Sequence, residues 1–519
     1  MARQPGAIER LIRSRAGQHP KEVWLKFKDR EFTWEQAIAN MNRAANGLLA
    51  LGVKPDDRVA IMMGNRPEFI WLYFGIGFIG AASVPINTSQ RGATLHHILA
   101  DSDSAAVIFE EPLRSAVLSV KGSVPGLKRA IVADGPAGGG ADLTLEKLLS
   151  GSDRDPELDA DRSGGGSIMY TSGTTGPPKG VVAKAADGQS LAAVLAATGV
   201  KAGETMYTAL PLFHGNALMI SGVGSIVLDA KFAVGERFSA SRFWDDCRKY
   251  GAVEFNTLGG MLSILLKQPP KPSDRDHRVR TVLSAACPPA AWKEFEDRFG
   301  VRIVEFYGMV DSPGLLLNDT GRVGSMGKPV GGVEFRVVDD NDNPVPAGKA
   351  GELVFRHPLG QLSQYHKLPD ATAEAYRGGW FHSGDLAKLD EDGFFYFCGR
   401  KKASIRRRGE NISAWEIETA LNQHSAVLES AAYAVPSELG EDEVKVAVVL
   451  KEGARLEPAE LIEFCKNRMA YYAVPRYVEF LNELPKTGTQ RIQYAALKER
   501  GIGNAWDREK AGIAVTRGT

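Results

Sequence analysis

Residues 170–182 read Tyr170-Thr-Ser-Gly-Thr-Thr-Gly-Pro-Pro-Lys-Gly-Val-Val182. Thr171, Ser172, Thr174 and Thr175 supply hydroxyls, Gly173, Gly176 and Gly180 free the backbone, and Lys179 adds one ammonium. Such a loop can surround phosphate oxygens with N–H groups and hydroxyls while the lysine supplies charge. It is not a Walker A loop, which needs Gly where Pro178 stands and Ser or Thr where Gly180 stands. A flexible polar linker is the alternative reading, and Pro-Pro-Lys-Gly set between apolar runs argues against it.

The chain around this loop has 519 residues, too many for one compact core, so two or more domains are expected. Hydrophobic residues at 44% and charged residues at 24% exclude a disordered, collagenous or coiled-coil chain. Lys plus Arg (63) equal Asp plus Glu (63), so no global field steers the protein to nucleic acid or an anionic membrane. Cys247, Cys287, Cys398 and Cys465 lie far apart, which fits a reduced compartment and not a zinc site. The first ten residues have no apolar h-region, so a cytoplasmic location is expected. The apolar run Phe69 to Ile86 contains Ser83 and Pro85 and reads as a buried helix followed by a core strand, not as an anchor.

Helix and strand patterns alternate along most of the chain. Thr33 and Gln36 form a capping-box pattern, Ala37, Met41, Ala44, Ala45 and Leu48 follow at helical spacing, and Gly52 supplies the stop. Strand-like runs follow at Arg58 to Met63, Ala106 to Phe109, Arg129 to Val132 and Val279 to Leu283, which predicts layers with largely buried parallel strands over the first four-fifths. Beyond about Gly399 a basic stretch leads into a helix near Glu416, a half-buried strand over Glu443 to Leu450 and a helix over Pro458 to Met469. The expected fold class is α/β: a large N-terminal layered α/β domain (1–399), a hinge (400–403) and a smaller mobile α+β C-terminal domain (404–519).

With six further motifs in order, the phosphate loop resembles that of the adenylate-forming superfamily of acyl-CoA synthetases, firefly-type luciferases and peptide-synthetase adenylation domains. Those motifs are Pro211-Leu-Phe-His-Gly215, Phe306-Tyr-Gly-Met-Val-Asp-Ser312, Trp380-Phe-His-Ser-Gly-Asp-Leu386, Gly399-Arg400, Gly409-Glu-Asn-Ile-Ser413 and Leu484-Pro-Lys-Thr-Gly-Thr-Gln-Arg-Ile492. The runs LGGMLSILLKQPP, RKKASIRRRGENIS and AVPSELGEDEV look most like bacterial carnitine/crotonobetaine-CoA ligases. The resemblance implies an ATP-dependent, AMP-forming carboxylate–CoA ligase that needs Mg2+ and uses coenzyme A as cosubstrate. Its implied partners are a small carboxylic acid, ATP and CoA, with no nucleic acid and no membrane span, and a homodimer is left open.

Carried over residue by residue, the resemblance makes Thr171, Ser172, Gly173, Thr174, Thr175, Gly176 and Lys179 the ATP phosphate loop. Tyr307 would stack on adenine with Gly308 beside it in the nucleotide site, and Asp385 and Arg400 would hold the ribose. Gly409 would let pantetheine pass, and Lys401, Lys402, Arg406, Arg407 and Arg408 would guide the CoA phosphates. His214 would sit beside the acyl carboxylate, with Gly259, Gly260, Met261 and Ala285 in the acyl pocket. For Asp385 a turn role, for His214 a structural role and for the basic run a solvated face are the competing readings. Cys287, with no base beside it in sequence, reads as a packing residue.

Three positions depart from the family pattern. Asp311 replaces Glu as the metal carboxylate, Ala403 stands at the hinge in place of Asp or Lys, and Arg491 occupies the adenylation lysine position. A guanidinium can neutralise phosphoryl charge, but its planar fork differs from a compact ammonium. Two other readings remain beside the ligase: an adenylating enzyme that loads a separate carrier protein, and a catalytically impaired nucleotide- or acyl-binding homologue. CoA-dependent AMP release separates the ligase from the carrier-loading enzyme, and the Arg491→Lys variant tests the impaired-homologue reading in carboxylate-dependent pyrophosphate exchange. The expected result is a loss of exchange, because the site is built around the guanidinium; a large gain would mark impaired native adenylation.

Overall fold

The computed structural model describes residues 6–156, 166–171, 177–183, 188–311, 314–400, 405–408, 410–412, 414–437, 441–485 and 492–516. Two large sheets build the N-terminal part. The first runs, edge to edge, through strands Lys328–Pro329, Leu316–Asn318, Arg302–Tyr307, Thr281–Ala285, Ala252–Leu258, Thr205–Thr208, Lys231–Val234, Val23–Phe27 and Arg30–Thr33. The second runs through Ser363–Tyr365, Lys179–Ala183, Gly166–Thr171, Ala82–Pro85, Arg58–Met62, Ser104–Phe109, Arg129–Val132 and Leu143–Thr144. Their central pairings are parallel, as the buried apolar runs predict.

Helices Trp34–Ala50 and Pro67–Phe78 join the two sheets in one core. The first carries the predicted capping box: Thr33 Oγ1 accepts from the Gln36 N–H, and the Gln36 side chain accepts from the Thr33 N–H. The second is the apolar run noted above. It is buried on nearly every side, and strand Ala82–Pro85 follows it. Among the described residues no helix is long and apolar enough to cross a membrane. Alternation along Arg58–Met62 sends Val59 and Ile61 to the shared core and Ala60 and Met62 to a second core under helices Gly92–Asp101 and Arg114–Lys121.

Two expectations need correction. The first four-fifths of the chain is not parallel throughout: Glu334–Val338, Ala350–Arg356, Phe381–Leu389 and Phe395–Arg400 form a separate antiparallel sheet. The predicted half-buried strand extends over Asp442–Leu450 and is buried along almost its whole length. It is flanked by Val427–Pro436 and Tyr477–Phe480, and both of its faces are covered. Val444, Val446 and Val448 meet helices Ala414–Leu421 and Pro458–Lys466, while Ala447 and Val449 meet Leu484 and Leu497. Most of the expected hinge, residues 401–403, lies outside the described residues.

The two core helices cross where Gly75 has no side chain. A Cβ there would lie 2.6 Å from the Met41 carbonyl oxygen and 2.9 Å from the Ala44 Cβ. Gly75→Ala is therefore expected to overpack this crossing and destabilise the N-terminal part by about 1–3 kcal/mol. Chemical denaturation followed by tryptophan fluorescence measures the loss.

Candidate active site

In open α/β sheets, ligands bind beyond the carboxyl ends of the parallel strands. Thr171, Leu258, Ala285 and Tyr307 all end strands here. Thr171 and Lys179 pair across the antiparallel strands that flank the phosphate loop, so the loop closes a hairpin. Ser172, Gly173, Thr174, Thr175 and Gly176 lie outside the described residues. Asp311 meets the base of this hairpin: its Oδ1 accepts from Thr171 Oγ1 at 3.3 Å and from the Tyr365 hydroxyl at 2.9 Å. The Lys179 ammonium lies 4.7 Å from the centre of the Tyr365 ring.

No group of three or more His, Cys, Asp or Glu side chains among the described residues could by itself hold a metal ion. Magnesium does not need one, because it is commonly held by one or two carboxylates together with substrate phosphates. The Asp311 carboxylate, set beside the Thr171 hydroxyl at the phosphate-loop base, fits that need despite being one methylene shorter than glutamate.

Two of the residues expected to border the nucleotide are also brought together. The Tyr307 hydroxyl donates to Asp385 Oδ2 at 2.7 Å, and Asp385 is buried on strand Phe381–Leu389. Asp385 pairs through its backbone with Arg400, whose side chain lies outside the described set. Gly308 is held close to Leu315, whose Cδ2 lies 2.3 Å from where a Cβ would stand. Ala286, next to Ala285, takes a left-handed φ of 64°. Glu305 braces this bend by accepting from the Cys287 N–H at 3.1 and 3.2 Å. Burial pushes the Glu305 carboxyl up to about 8. Burial also pushes the Cys287 thiol up, which keeps it inert.

His214 stands at the mouth of the site, its turn fixed from below by Asn65. The Asn65 Nδ2 donates to the carbonyls of Leu210 and Gly235, and its Oδ1 accepts from the Leu212 N–H. The His214 Nε2 lies 3.0 Å from Glu410 Oε1, which comes from the C-terminal domain. The Asn87 amide reaches the same carboxylate at 3.3 Å and the Tyr472 hydroxyl at 3.0 Å. Gly259 lies so close to the Ala286 carbonyl that a Cβ would sit 1.7 Å from its oxygen. A Cβ on Gly260 would stand 2.8 Å from Glu441 Oε1, again from the C-terminal domain. Met261 follows in the first turn of helix Gly259–Leu266 and is nearly buried.

The basic run divides. Arg407 is 2% exposed, donates to the Tyr472 and Val474 carbonyls at 2.9 Å and pairs with Glu443 at 2.8 Å. It anchors the hairpin Ile405–Arg407 and Glu410–Ile412 and cannot guide a CoA phosphate. Arg408 is exposed at the hairpin turn with φ 55°. Lys401, Lys402, Gly409 and Arg491 lie outside the described residues. Sequence reasoning gave no role to Asn65, Asn87, Glu305, Tyr365, Glu410 or Tyr472. Only Glu410 carried a usable signal, its place directly after Gly409.

This arrangement has counterparts. Residues 12–366 match the family model of AMP-binding enzymes, and residues 416–491 match the AMP-binding enzyme C-terminal domain. The chain belongs to the AMP-binding, adenylate-forming enzyme family. It is 32% identical over 491 residues to the crotonobetaine/carnitine–CoA ligase of Salmonella paratyphi B, covering 90% of this chain and 93% of that one. Among solved structures, an anthranilate CoA ligase in complex with anthranoyl-AMP is 26% identical with TM-score 0.71, covering 95% of this chain and 96% of that one. The o-succinylbenzoate CoA synthetase of Bacillus subtilis, 24% identical, shares the fold with TM-score 0.80 over 96% of this chain and 99% of that one.

Glu305 sets a pH dependence. Its folded-state pKa stands above the usual carboxylate value, so the folded protein holds a proton that the unfolded chain releases. Stability from this group is present at low pH and is lost as pH rises toward about 8. Glu305→Gln is therefore expected to flatten the fall of melting temperature between pH 5.5 and 8, by up to about 1.4 kcal/mol per pH unit for one proton. Differential scanning calorimetry across that range tests it.

Proposed function

We propose that the protein is an ATP-dependent, AMP-forming carboxylate–CoA ligase that works in two domain arrangements. In the first half-reaction a carboxylate oxygen attacks the α-phosphorus of ATP, and pyrophosphate leaves. Two anions meet in this step, so Lys179 and the loop hydroxyls hold the phosphates, Asp311 would hold the metal, and Arg491 counters the charge that builds on the phosphoryl group. Bound magnesium would supply Lewis-acid neutralisation of phosphate oxygens. In the second half-reaction the CoA thiolate attacks the acyl carbonyl carbon and AMP leaves.

The observation that carries this reading is the Glu410 to His214 contact, considered with the two faces of the C-terminal sheet. The hairpin bearing Glu410 packs through Ile405 and Ile412 on the face that carries Val444, Val446 and Val448. Leu484 and Ile492, which bracket the Arg491 segment, pack with Ala447 and Val449 on the opposite face. With Glu410 on His214, the hairpin that carries Glu410 faces the N-terminal part, the arrangement we assign to thioester formation. A rotation about 400–403 then presents the other face for adenylation. Curated relatives of this chain are named for ligating crotonobetaine or carnitine to CoA, which supports a small carboxylic acid as the substrate class. A cytoplasmic location is part of the same reading.

Two measurements test it. A pyrophosphate-release screen over carboxylic acids should find an acid whose AMP release depends on CoA. With that acid, Glu410→Ala should slow thioester formation about 10–100-fold, the worth of a hydrogen bond to a charged group, and leave pyrophosphate exchange within about threefold. Equal losses in both half-reactions would remove the assignment of Glu410 to the second.

A further inference from the structure

Two residues after His214 the chain enters a π-helix, Asn216–Val223, which packs on strands Ala252–Leu258 and Thr205–Thr208. Single π turns inside helices are frequent at functional sites. Asn256 is fully buried on the strand beneath and lies in register with Leu283. Leu283 packs with Ile220, Val304 and Phe306, so this face of the sheet meets the π-helix in an apolar wedge.

Polar groups in this wedge lack partners. The Asn256 Nδ2 donates to the Asn216 Oδ1 at 2.8 Å and to the Asn216 carbonyl at 3.3 Å. The backbone carbonyl can only accept, so it fixes which end of the Asn256 amide faces Asn216, and Asn256 in turn fixes Asn216. That leaves Asn216 Nδ2, a donor, and Asn256 Oδ1, an acceptor, buried without partners. Ser221, one π turn after Asn216, is fully buried and its Oγ also has no partner. Glu254, two residues before Asn256 on the same strand face, is buried with neither carboxylate oxygen bonded. An unmade buried hydrogen bond costs about 1–3 kcal/mol, so a cluster of them beside the site points to a ligand that makes them.

We propose that Asn216, Ser221 and Asn256 form a recognition subsite for a hydroxyl group on the carboxylic acid, so that the preferred substrates are hydroxy acids. A hydroxyl oxygen accepts from Asn216 Nδ2 while its hydrogen goes to Asn256 Oδ1, and Ser221 Oγ supplies a further donor or acceptor. A methylene at the same place leaves every one of these groups unpaired, and such sites discriminate strongly against the analogue that lacks the hydroxyl.

This inference rests on the ligase reading, and its test keeps the two apart. Matched pairs of acids that differ by one hydroxyl, such as 3-hydroxybutanoate and butanoate, 4-hydroxybutanoate and butanoate, and 4-hydroxybenzoate and benzoate, are compared by kcat/KM for CoA-dependent AMP release. They are also compared by calorimetric binding in the presence of AMP. The expected result is a preference of at least about tenfold for the hydroxylated member of one pair, reduced to about threefold or less in Asn256→Leu and Ser221→Ala. The melting temperature of ligand-free Ser221→Ala should be unchanged or higher, since that hydroxyl bonds nothing in the fold; a merely structural serine would lower it. Equal use and equal binding of both members of every pair, or a preference that survives both variants, overturns the subsite. Selective binding without turnover overturns the ligase reading and leaves the subsite standing.

Discussion

The contact of Glu410 with His214 decides how the rest of the active site is exposed. It brings one face of a four-stranded sheet against the strand ends of the N-terminal part, and the period of a β-strand does the rest. Along Asp442–Leu450 alternate residues belong to opposite faces, one carrying the Glu410 hairpin and the other the ends of the Arg491 segment. No single orientation can turn both to His214. Arg407 makes the hairpin rigid enough for this to matter, because its buried guanidinium ties the hairpin to the Tyr472 and Val474 carbonyls. The docked face has an electrostatic consequence as well. Glu416 is buried where its side chain meets Thr94, and burial with Glu410 nearby pushes it up to about 7.

The parts of the fold legible in the sequence were those whose signal is local. The capping box at Thr33, the buried helix before Ala82 and the parallel core strands follow from periodicity and from side chains three or four residues apart. The antiparallel sheet around Phe381–Leu389 was missed because its apolar alternation resembles that of any strand and its partners lie far along the chain. The strand at Asp442–Leu450 looked half-buried because Glu443 and Lys445 interrupt it. In the fold Lys445 is satisfied by Glu479 and by the Gly501 and Ile502 carbonyls, so its charge does not need water. At the site, residues inside motifs could be placed from sequence, whereas Asn65, Asn87 and Tyr472 act through contacts more than a hundred residues apart and leave no mark on the residues around them.

Formal neutrality also takes a specific meaning. The phosphate-bearing substrates are polyanions, and no net charge draws them to the chain; at the base of the loop hairpin the Lys179 ammonium and the Thr171 hydroxyl stand near the Asp311 carboxylate. The basic run near the hinge, which looked like a single anion-binding stretch, is partly consumed in structure. Arg407 has one role inside the fold and Arg408 another at its surface. Reading charge from sequence alone treats these two neighbours as equivalent, and burial distinguishes them.

The first sheet divides its labour between its two faces and its strand ends. On one face Phe243, Trp244, Phe255, Phe295 and Phe299 form a continuous aromatic cluster, with Trp244 stacked on Phe299 at 4.6 Å and Phe243 edge-on to Phe255 at 4.7 Å. Such pairs stabilise beyond their buried area. On the opposite face, under the π-helix, stand the buried polar side chains Glu254 and Asn256, while Thr257, Ser284 and Glu305 stand on the aromatic side toward the carboxyl ends of their strands. A sheet selected for stability alone would have apolar residues at those positions, because an unpaired buried group costs more than the methylene that could replace it. Glu305 is accounted for by the strained bend at Ala286 that it braces. The unpaired groups of Asn256 and Glu254 are not accounted for by anything in the fold, and the aromatic face is what allows the strand to carry them. Where a protein tolerates that cost beside its active site, the missing partner is most simply the substrate.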